Sequence, residues 1–233
     1  MSFKAAKCPN CAGELQLPED RDSVKCMYCG SDIVVREAIK LAGGVNIENL
    51  FQLAEHAEKC KQYAEAYNYY TKILETDATN YRAWYGKAMS AGWQSTSANL
   101  RLQETISGIE NALKYAPENE KDELKVKAAL SLRELAIDIF FSGAEKNPLT
   151  SEYVNFNPEM PLIITVLEIA SGYKPDDRSI LNNIVFVIEA HGLLDDPYFD
   201  DFKQIQEVEK KIQQLDPTYV PKYRATQENP PHR

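Results

Sequence analysis

Apolar residues recur at helical spacing through most of the chain after residue 46. Leu50, Leu53, Ala54 and Ala57 fall on one face of a helix, which predicts an amphipathic segment that packs along that face. The helical period predicts further helices from stripes at Ala66, Tyr70, Ile73 and Leu74, at Leu124, Ala128, Leu132, Leu135 and Ile139, at Leu181, Ile184, Val185 and Ile188, and at Phe202, Ile205, Val208, Ile212 and Leu215. Beyond residue 216 the pattern ends, and Pro217, Pro221, Pro230 and Pro231 predict an extended or disordered tail over 217–233.

The first 36 residues follow a different pattern. Glu14 to Leu17 alternate polar and apolar residues, as a half-buried strand does, and Ile33 to Val35 form a second short β-type run. Gly43 and Gly44 then interrupt any regular element. We therefore place a small β module at 1–36, a linker at 37–46, and helices from residue 47 onward.

Two Cys-x-x-Cys pairs lie in the β module, Cys8 with Cys11 and Cys26 with Cys29, separated by 14 residues. Four thiolates at this spacing can form the closed tetrahedral site that structural Zn²⁺ takes, whereas a catalytic zinc keeps a position open for water. A redox pair, two disulfides and an iron centre are the alternatives. A thioredoxin-like redox pair needs a βαβ context, which the sequence lacks. One structural Zn²⁺ is the favoured interpretation.

These residues, with Gly13 and Gly30 after the cysteine pairs, resemble a four-cysteine zinc ribbon. The resemblance covers roughly the first 35 residues. Ala12 stands where the usual pattern has glycine, and the gap of 14 residues is slightly shorter than is common for such sites.

The helical pattern restarts after 34 residues, because Trp84, Lys87, Ala88 and Ala91 take the offsets of Leu50, Leu53, Ala54 and Ala57. Thr105, Ile109 and Ala112 follow in a second helix that ends at Pro117. This order of large and small residues over 47–119 resembles two tetratricopeptide repeats (TPRs). Unrelated helical hairpins are the alternative. The expected fold is mainly α, a TPR-like α-solenoid of antiparallel helix pairs preceded by a small β zinc ribbon.

The resemblance has departures. Lys87 takes a position that is usually leucine, Ala78 replaces the closing proline of the first copy, and about five extra residues lie within 94–99 of the second. Residues 120–216 are predicted to hold further helices, including a degenerate TPR-like pair from Pro175 and a capping helix over 198–215.

In tetratricopeptide repeats the first helix of each pair lines a concave groove that binds a protein or peptide. By this resemblance, the partner-binding residues here are Glu48, Phe51, Glu55, Arg82, Tyr85, Met89 and Trp93. Aromatic and methionine side chains beside a few charges suit a peptide or helix ligand. Contact of these residues with the ribbon, or with a second copy of the chain, is the alternative.

Charge and motifs favour binding over catalysis. The net charge is −9; residues 1–36 carry five basic and five acidic side chains, and most of the excess negative charge lies beyond residue 119. A protein that binds phosphate backbones usually has a basic face, and this charge distribution shows none. Nucleic-acid binding through the ribbon is therefore kept only as the alternative function. His56, His191 and His232 have no catalytic motif around them, and Cys60 is predicted to be a packed free thiol.

The function predicted is that of a non-catalytic adaptor or scaffold for protein–protein interaction, with the ribbon as a second contact module. Residues 1–7 lack the apolar segment of a secretory signal, so a cytoplasmic location is expected. No stretch of sequence is apolar enough for a membrane span.

Overall fold

The structure is a computed structural model. The chain divides into two units, Met1–Leu53 and Ala54–Arg233. Much of the predicted linker at 37–46, the histidines at 191 and 232, and most of the predicted tail lie outside the described residues. The structure describes residues 3–8, 10, 11, 13–18, 20–36, 38, 47–96, 99–143, 145, 146, 153, 154, 160–190 and 201–221.

The β module of the first unit consists of two antiparallel hairpins. The strands predicted around Leu15 and Ile33 are confirmed, although Val35 already lies in a helical run. The strands that precede each cysteine pair were not predicted. The hairpins are β1 (Phe3–Lys7) with β2 (Glu14–Pro18), and β3 (Ser23–Lys25) with β4 (Asp32–Val34).

Side chains from both hairpins meet in one small apolar cluster. Alternation along β2 places Leu15 and Leu17 inward, and Ile33 of β4 is buried with them. The sulfur-bearing residues Cys8 and Cys26 belong to the same cluster. Because the cluster is so small, burial alone provides little stability for this module, and a further constraint has to hold it together.

Eight helices are described, and they follow one another as antiparallel pairs. They are α1 (Ile47–Lys59), α2 (Tyr63–Thr76), α3 (Tyr81–Gly92), α4 (Leu102–Tyr115), α5 (Glu118–Gly143), α6 (Met160–Tyr173), α7 (Arg178–Ala190) and α8 (Asp201–Leu215). A two-stranded ribbon of β5 (Glu145–Lys146) and β6 (Tyr153–Val154) lies between α5 and α6.

The packing order is that of a TPR-like solenoid. Helix α3 packs on α2 and α4, α5 packs on α6, and α7 packs on α6 and α8. The second helices α4 and α6 contact each other, and so do the first helices α5 and α7. Each pair therefore buries its apolar face against the next pair. Among the described residues, no helix combines the length and apolarity that crossing a bilayer requires.

Most of the predicted inner faces are confirmed. The stripes that begin at Ala66, Leu124 and Leu181 are buried throughout, and Ile205, Val208 and Ile212 are buried on α8. Two predictions were wrong. Leu53 is 38 % exposed whereas its neighbour Phe51 is 5 % exposed, so α1 turns a different edge inward. Leu215, predicted inward, is exposed at the end of α8.

The pairing of the later helices differs from the prediction. No partner was named for helix α5 among the further helices predicted for 120–216, and it packs on α6 as the first member of a pair. The pair that starts near Pro175 is α7 with α8, so the final helix is the second member of a pair. The sequence hid the α5–α6 pair because residues 144–159 separate its two helices, where a repeat normally has a short turn.

Side-chain hydrogen bonds form the turn that lacks the usual proline. Asp77 Oδ1 accepts hydrogen bonds from the backbone N–H of Thr79, at 3.1 Å, and from its hydroxyl, at 2.8 Å. Asn80 then caps α3 by accepting from the N–H of Ala83 at 3.1 Å. Asp216 and Thr218 repeat the first arrangement after α8.

Lys87 takes the usual leucine position without burying its charge. Its Nζ lies 4.9 Å from the centre of the Tyr67 ring and 5.9 Å from that of Trp84. The aliphatic part of a lysine side chain can cover apolar surface while its ammonium group stays over an aromatic face. The aromatic neighbours thus explain why lysine replaces leucine here.

The extra residues of the second pair are held by a polar network. Glu104 accepts hydrogen bonds from the Tyr67 hydroxyl at 2.6 Å and from Arg101 Nη2 at 2.7 Å. Arg101 Nη1 also donates to Gln94 Oε1 at 2.8 Å. Burial of Glu104 raises its pKa, but Tyr67 and Arg101 outweigh that effect and hold the pKa below its usual range. The network links α2 with the connection between α3 and α4.

Replacing Glu104 with alanine is expected to destabilise the protein by about 1 kcal/mol at neutral pH, because two donors lose their shared acceptor. The pKa of Glu104 is lowered in the folded state, so its contribution is present above the unfolded pKa and is lost as pH falls through the folded pKa. Urea denaturation of both proteins at neutral and acid pH measures this, and the difference should shrink in acid. Glu110→Ala, an exposed acidic residue on the same helix, is the matched control. An equal loss in both variants would contradict the role of the network.

Candidate functional site

The structure brings the four predicted cysteines together at the ends of the two hairpins. Cys8 Sγ lies 3.7 Å from Cys29 Sγ, and Cys11 Sγ lies 3.7 Å from Cys26 Sγ. All four sulfur atoms lie within 4.8 Å of one another. A disulfide has a sulfur–sulfur distance of about 2.05 Å, so these cysteines are free thiols. Each hairpin supplies one buried cysteine and one exposed cysteine.

The backbone of each cysteine loop folds toward the sulfur atoms. Cys8 N–H donates to the carbonyl of Gly13, and Cys26 N–H donates to that of Ser31, both at 2.9 Å. The N–H of Tyr28 points at Cys26 Sγ, 3.4 Å away. Gly30 has a φ of 73°, a left-handed conformation that glycine adopts at no steric cost. The two loops therefore share the hydrogen bond from the N–H of the first cysteine to a carbonyl five residues later.

Local hydrogen bonds prepare two of the four sulfurs for ionisation. The Ser31 hydroxyl and backbone N–H lower the pKa of Cys29 to about 6, and the N–H groups of Cys29 and Tyr28 lower that of Cys26. The N–H of Gly13 lowers the pKa of Cys11, but burial and the other three thiols outweigh it and raise that pKa to about 12. A cation among the sulfurs would favour the thiolate form of all four.

The cluster fits a tetrahedral metal site. With metal–sulfur bonds of about 2.3 Å, the corners of a tetrahedron lie about 3.8 Å apart, close to the two separations of 3.7 Å. Four soft thiolate donors suit Zn²⁺, and an Fe centre takes the same donor set. Geometry and donor chemistry thus agree with the sequence on a metal site.

The predicted groove residues occupy different environments. In the first unit, Glu48 is exposed and Phe51 is buried. In the second unit, Glu55 and Arg82 are exposed, with 3.9 Å between Arg82 Nη2 and Glu55 Oε1. Tyr85 and Met89 are buried, and Trp93 is half-buried. The buried members offer a partner little surface.

Helix α5 explains why Tyr85 is buried. The Tyr85 and Ser131 hydroxyls are 2.9 Å apart, and Lys127 Nζ lies 4.6 Å from the centre of the Tyr85 ring. On the preceding pair, the Tyr81 hydroxyl donates to Glu120 of α5. Tyr85 therefore acts first as a contact between consecutive first helices. The accessible side chains beside it belong to α5 and were not predicted from the sequence.

Trp93 stacks on Tyr63, with ring centres 5.9 Å apart and planes inclined by 21°. Near these rings, Glu58 is a half-buried carboxyl that the sequence analysis did not select. Burial raises its pKa, against the opposing effects of the Tyr70 hydroxyl and of Lys127. The sequence signal for this position was weak, since Glu58 is one of several acidic residues on α1.

The prediction that Cys60 is packed was wrong. Its thiol is exposed at the end of α1, and its Sγ lies 3.8 Å from His56 Nε2. The reason is that α1 ends at Lys59 and the chain turns through Lys61, whose φ is 57°. Cys60 is therefore not a member of the four-cysteine cluster.

In sequence, the chain matches no protein-family model and no curated protein. In structure, it is similar to a solved structure described as that of the MamA protein. The TM-score is 0.41 and the identity 18 %, over 80 % of this chain and 86 % of the other.

Proposed function

We propose that the chain is a non-catalytic adaptor in which TPR-like helix pairs bind a protein segment and Zn²⁺ stabilises a ribbon at the four cysteines. The serial packing of the helix pairs is the observation that carries this proposal. Each pair buries one face against the next pair. Other side chains of the first helices, such as Arg82 of α3 and Lys127 of α5, remain exposed. Exposed faces of this kind are common binding surfaces in repeat proteins.

The sulfur geometry supports a structural metal. Four thiolates fill a tetrahedral coordination shell and leave no position for water or substrate. The metal would join the two hairpins, whose shared apolar cluster is small. In this proposal the metal keeps the ribbon folded, and the folded ribbon is a second contact surface for a partner.

Nucleic-acid binding by the ribbon receives less support. Lys7 lies directly opposite Glu14, and Lys25 lies directly opposite Asp32. These cross-strand pairs offset the positive charge that a phosphate backbone would need. Retention of the protein on single- or double-stranded nucleic acid at physiological salt would revive this function.

The proposed function predicts that the full chain retains a protein partner in affinity purification from its native cell, identified by mass. Arg82→Glu reverses an exposed charge on α3, and we expect it to change retention of that partner severalfold. Lys210→Glu makes the same change of net charge on the exposed surface of α8 and should leave retention unchanged. Equal retention by both variants would contradict binding at the first-helix surface. Absence of any stoichiometric partner would contradict the adaptor function itself.

A further inference from the structure

Helix α5 carries an exposed apolar stripe on its surface. Val126 is 40 % exposed, Leu130 39 % and Phe141 44 %, and Ile137 is half-buried on the same side. At 3.6 residues per turn these four residues fall within a sector of about 60°. The opposite side of the helix holds Leu124, Ala128, Leu132 and Leu135 in the core. The stripe is therefore additional to the face that packs α5 into the solenoid.

Aromatic contacts fix one end of the stripe. Phe141 packs against Phe140 at 5.2 Å and against Phe186 of α7 at 5.9 Å, measured between ring centres. Phe186 is itself half-buried. The apolar surface thus continues from one first helix to the next. Aromatic side chains in such positions provide large contact area with little rotamer freedom to lose.

Carboxylates flank the stripe on the side that faces the earlier helix pairs. Glu134 and Asp138 follow the stripe around α5, in the next sector of about 60°. Burial raises the pKa of Tyr63 on α2, and the charges of Glu58, Asp138 and Glu134 raise it further, so all three carboxylates act on the same hydroxyl.

Positive charges are present but fewer. Lys127 acts on Glu58 and lies over the Tyr85 ring, and Arg82 lies near Glu55. Half-buried Arg133 lies next to Val126 around α5 and is a third cation. With Glu58, Glu134 and Asp138 counted beside Glu55, the carboxylates number four against these three cations. The surface therefore combines an apolar centre with an acidic edge.

We propose that this surface, the stripe of Val126, Leu130, Ile137 and Phe141 with its flanking carboxylates Glu58, Glu134 and Asp138, binds a basic amphipathic helix of a partner protein. The proposal rests on the proposed adaptor function and adds the location and chemistry of the contact. An amphipathic helix offers spaced apolar anchors for the stripe, and lysine or arginine side chains at its edge complement the carboxylates.

The length of the stripe suits such a partner. From Val126 to Phe141 the rise along α5 is about 22 Å, which corresponds to about four turns of a docked helix. A segment of this length can place an apolar residue at each of the exposed positions in turn. Charge also explains the choice of partner, because an acidic helix would place like charges against Glu134 and Asp138.

Two synthetic helical peptides of about 18 residues test the proposal. They share one leucine stripe, and one carries lysine on its flanks while the other carries glutamate at the same positions. Calorimetric titration of the full-length protein should show binding of the lysine peptide that weakens as ionic strength rises. The glutamate peptide should bind at least about tenfold more weakly. Equal or tighter binding of the glutamate peptide, or no binding of the lysine peptide, would overturn the inference.

Protein variants locate the site. Glu134→Lys with Asp138→Lys should weaken binding of the lysine peptide about tenfold or more, and Leu130→Asn should do so without a change of charge. Glu75→Lys with Glu110→Lys changes the net charge equally on exposed parts of α2 and α4, and it should leave affinity nearly unchanged. The altered residues are exposed, so we expect each variant to fold normally. An unchanged melting temperature checks this. Equal weakening by both charge pairs would show non-specific attraction and overturn the site.

The result also separates this inference from the proposed function. If the lysine peptide fails to bind but Arg82→Glu still changes retention of a native partner, the adaptor function stands and the α5 surface is not its site. If the protein forms a concentration-dependent dimer that Leu130→Asn disrupts, a second copy covers the stripe and the inference is wrong. Sedimentation velocity at several protein concentrations measures this outcome.

Discussion

Replacing Cys26 with serine is expected to release the bound metal and to unfold the β module while the helices persist. Cys26 is buried with Leu15, Leu17 and Ile33, and its sulfur lies 3.7 Å from that of Cys11. Metal binding contributes on the order of 10 kcal/mol to the folding of small zinc modules. A serine hydroxyl is a poor substitute for a thiolate as a Zn²⁺ ligand. The small cluster cannot keep the hairpins folded without the metal.

Elemental analysis of the purified protein measures the metal, with about one equivalent of zinc expected in the parent chain. Cys60→Ser is the matched control, because Cys60 is exposed and outside the cluster. It should retain the full equivalent. Amide NMR signals of residues in β1 to β4 should collapse in Cys26→Ser, whereas the helical circular dichroism should change little. A full equivalent of iron in place of zinc would show that the four thiolates hold the other metal that this donor set accepts. A β module that is folded without metal would contradict a structural role for the metal.

Replacing Gly108 with valine is expected to lower the free energy of unfolding by about 2 kcal/mol or more. A Cβ atom at Gly108 would lie 2.7 Å from Ala88 Cβ and 3.3 Å from Ala88 Cα. The second of these is a backbone atom, so the clash is relieved only if α3 and α4 move apart. That movement would disturb the packing of Ile109 and Ala112 beside it. Valine adds two more methyl groups to the same contact.

Ser107→Val is the matched control for Gly108→Val. Ser107 is the preceding residue of α4, is exposed, and tests the same β-branched side chain in the same helix. Its effect should stay within about 0.5 kcal/mol. Thermal unfolding followed by circular dichroism should show a melting temperature lower by about 5 °C for Gly108→Val. Similar melting of the two variants would mean that α3 and α4 do not approach closely at Gly108.

Sequence patterns predicted the elements whose signals are local. The four cysteines have a spacing that few other structures use, and the stripes at Ala66 and Leu124 repeat over several turns. Such patterns depend on the period of the helix and on ligand chemistry, both of which are properties of short segments. The strands β1 and β3 escaped detection because their sequences carry little hydrophobic alternation.

Errors arose where distant contacts decide the outcome. Phe51 and Leu53 give α1 two edges of similar hydrophobicity, and the local period does not choose between them. The burial of Tyr85 was not foreseen, because it depends on a contact with Ser131 of α5, and its role in binding stays a prediction. The α5–α6 pair was missed because residues 144–159 interrupt the repeat. Each of these depends on which helix packs against which, and periodicity alone does not contain that information.

The side-chain turns at Asp77 and Asp216 have a consequence for how the chain folds. In each, a carboxylate accepts both hydrogen bonds from a threonine two residues later, so the turn needs no distant contact to form. A connection of this kind costs little loop-closure entropy, and contacts between neighbouring pairs keep the contact order low. Helix pairs can therefore assemble one after another during synthesis, each on the pair that left the ribosome before it.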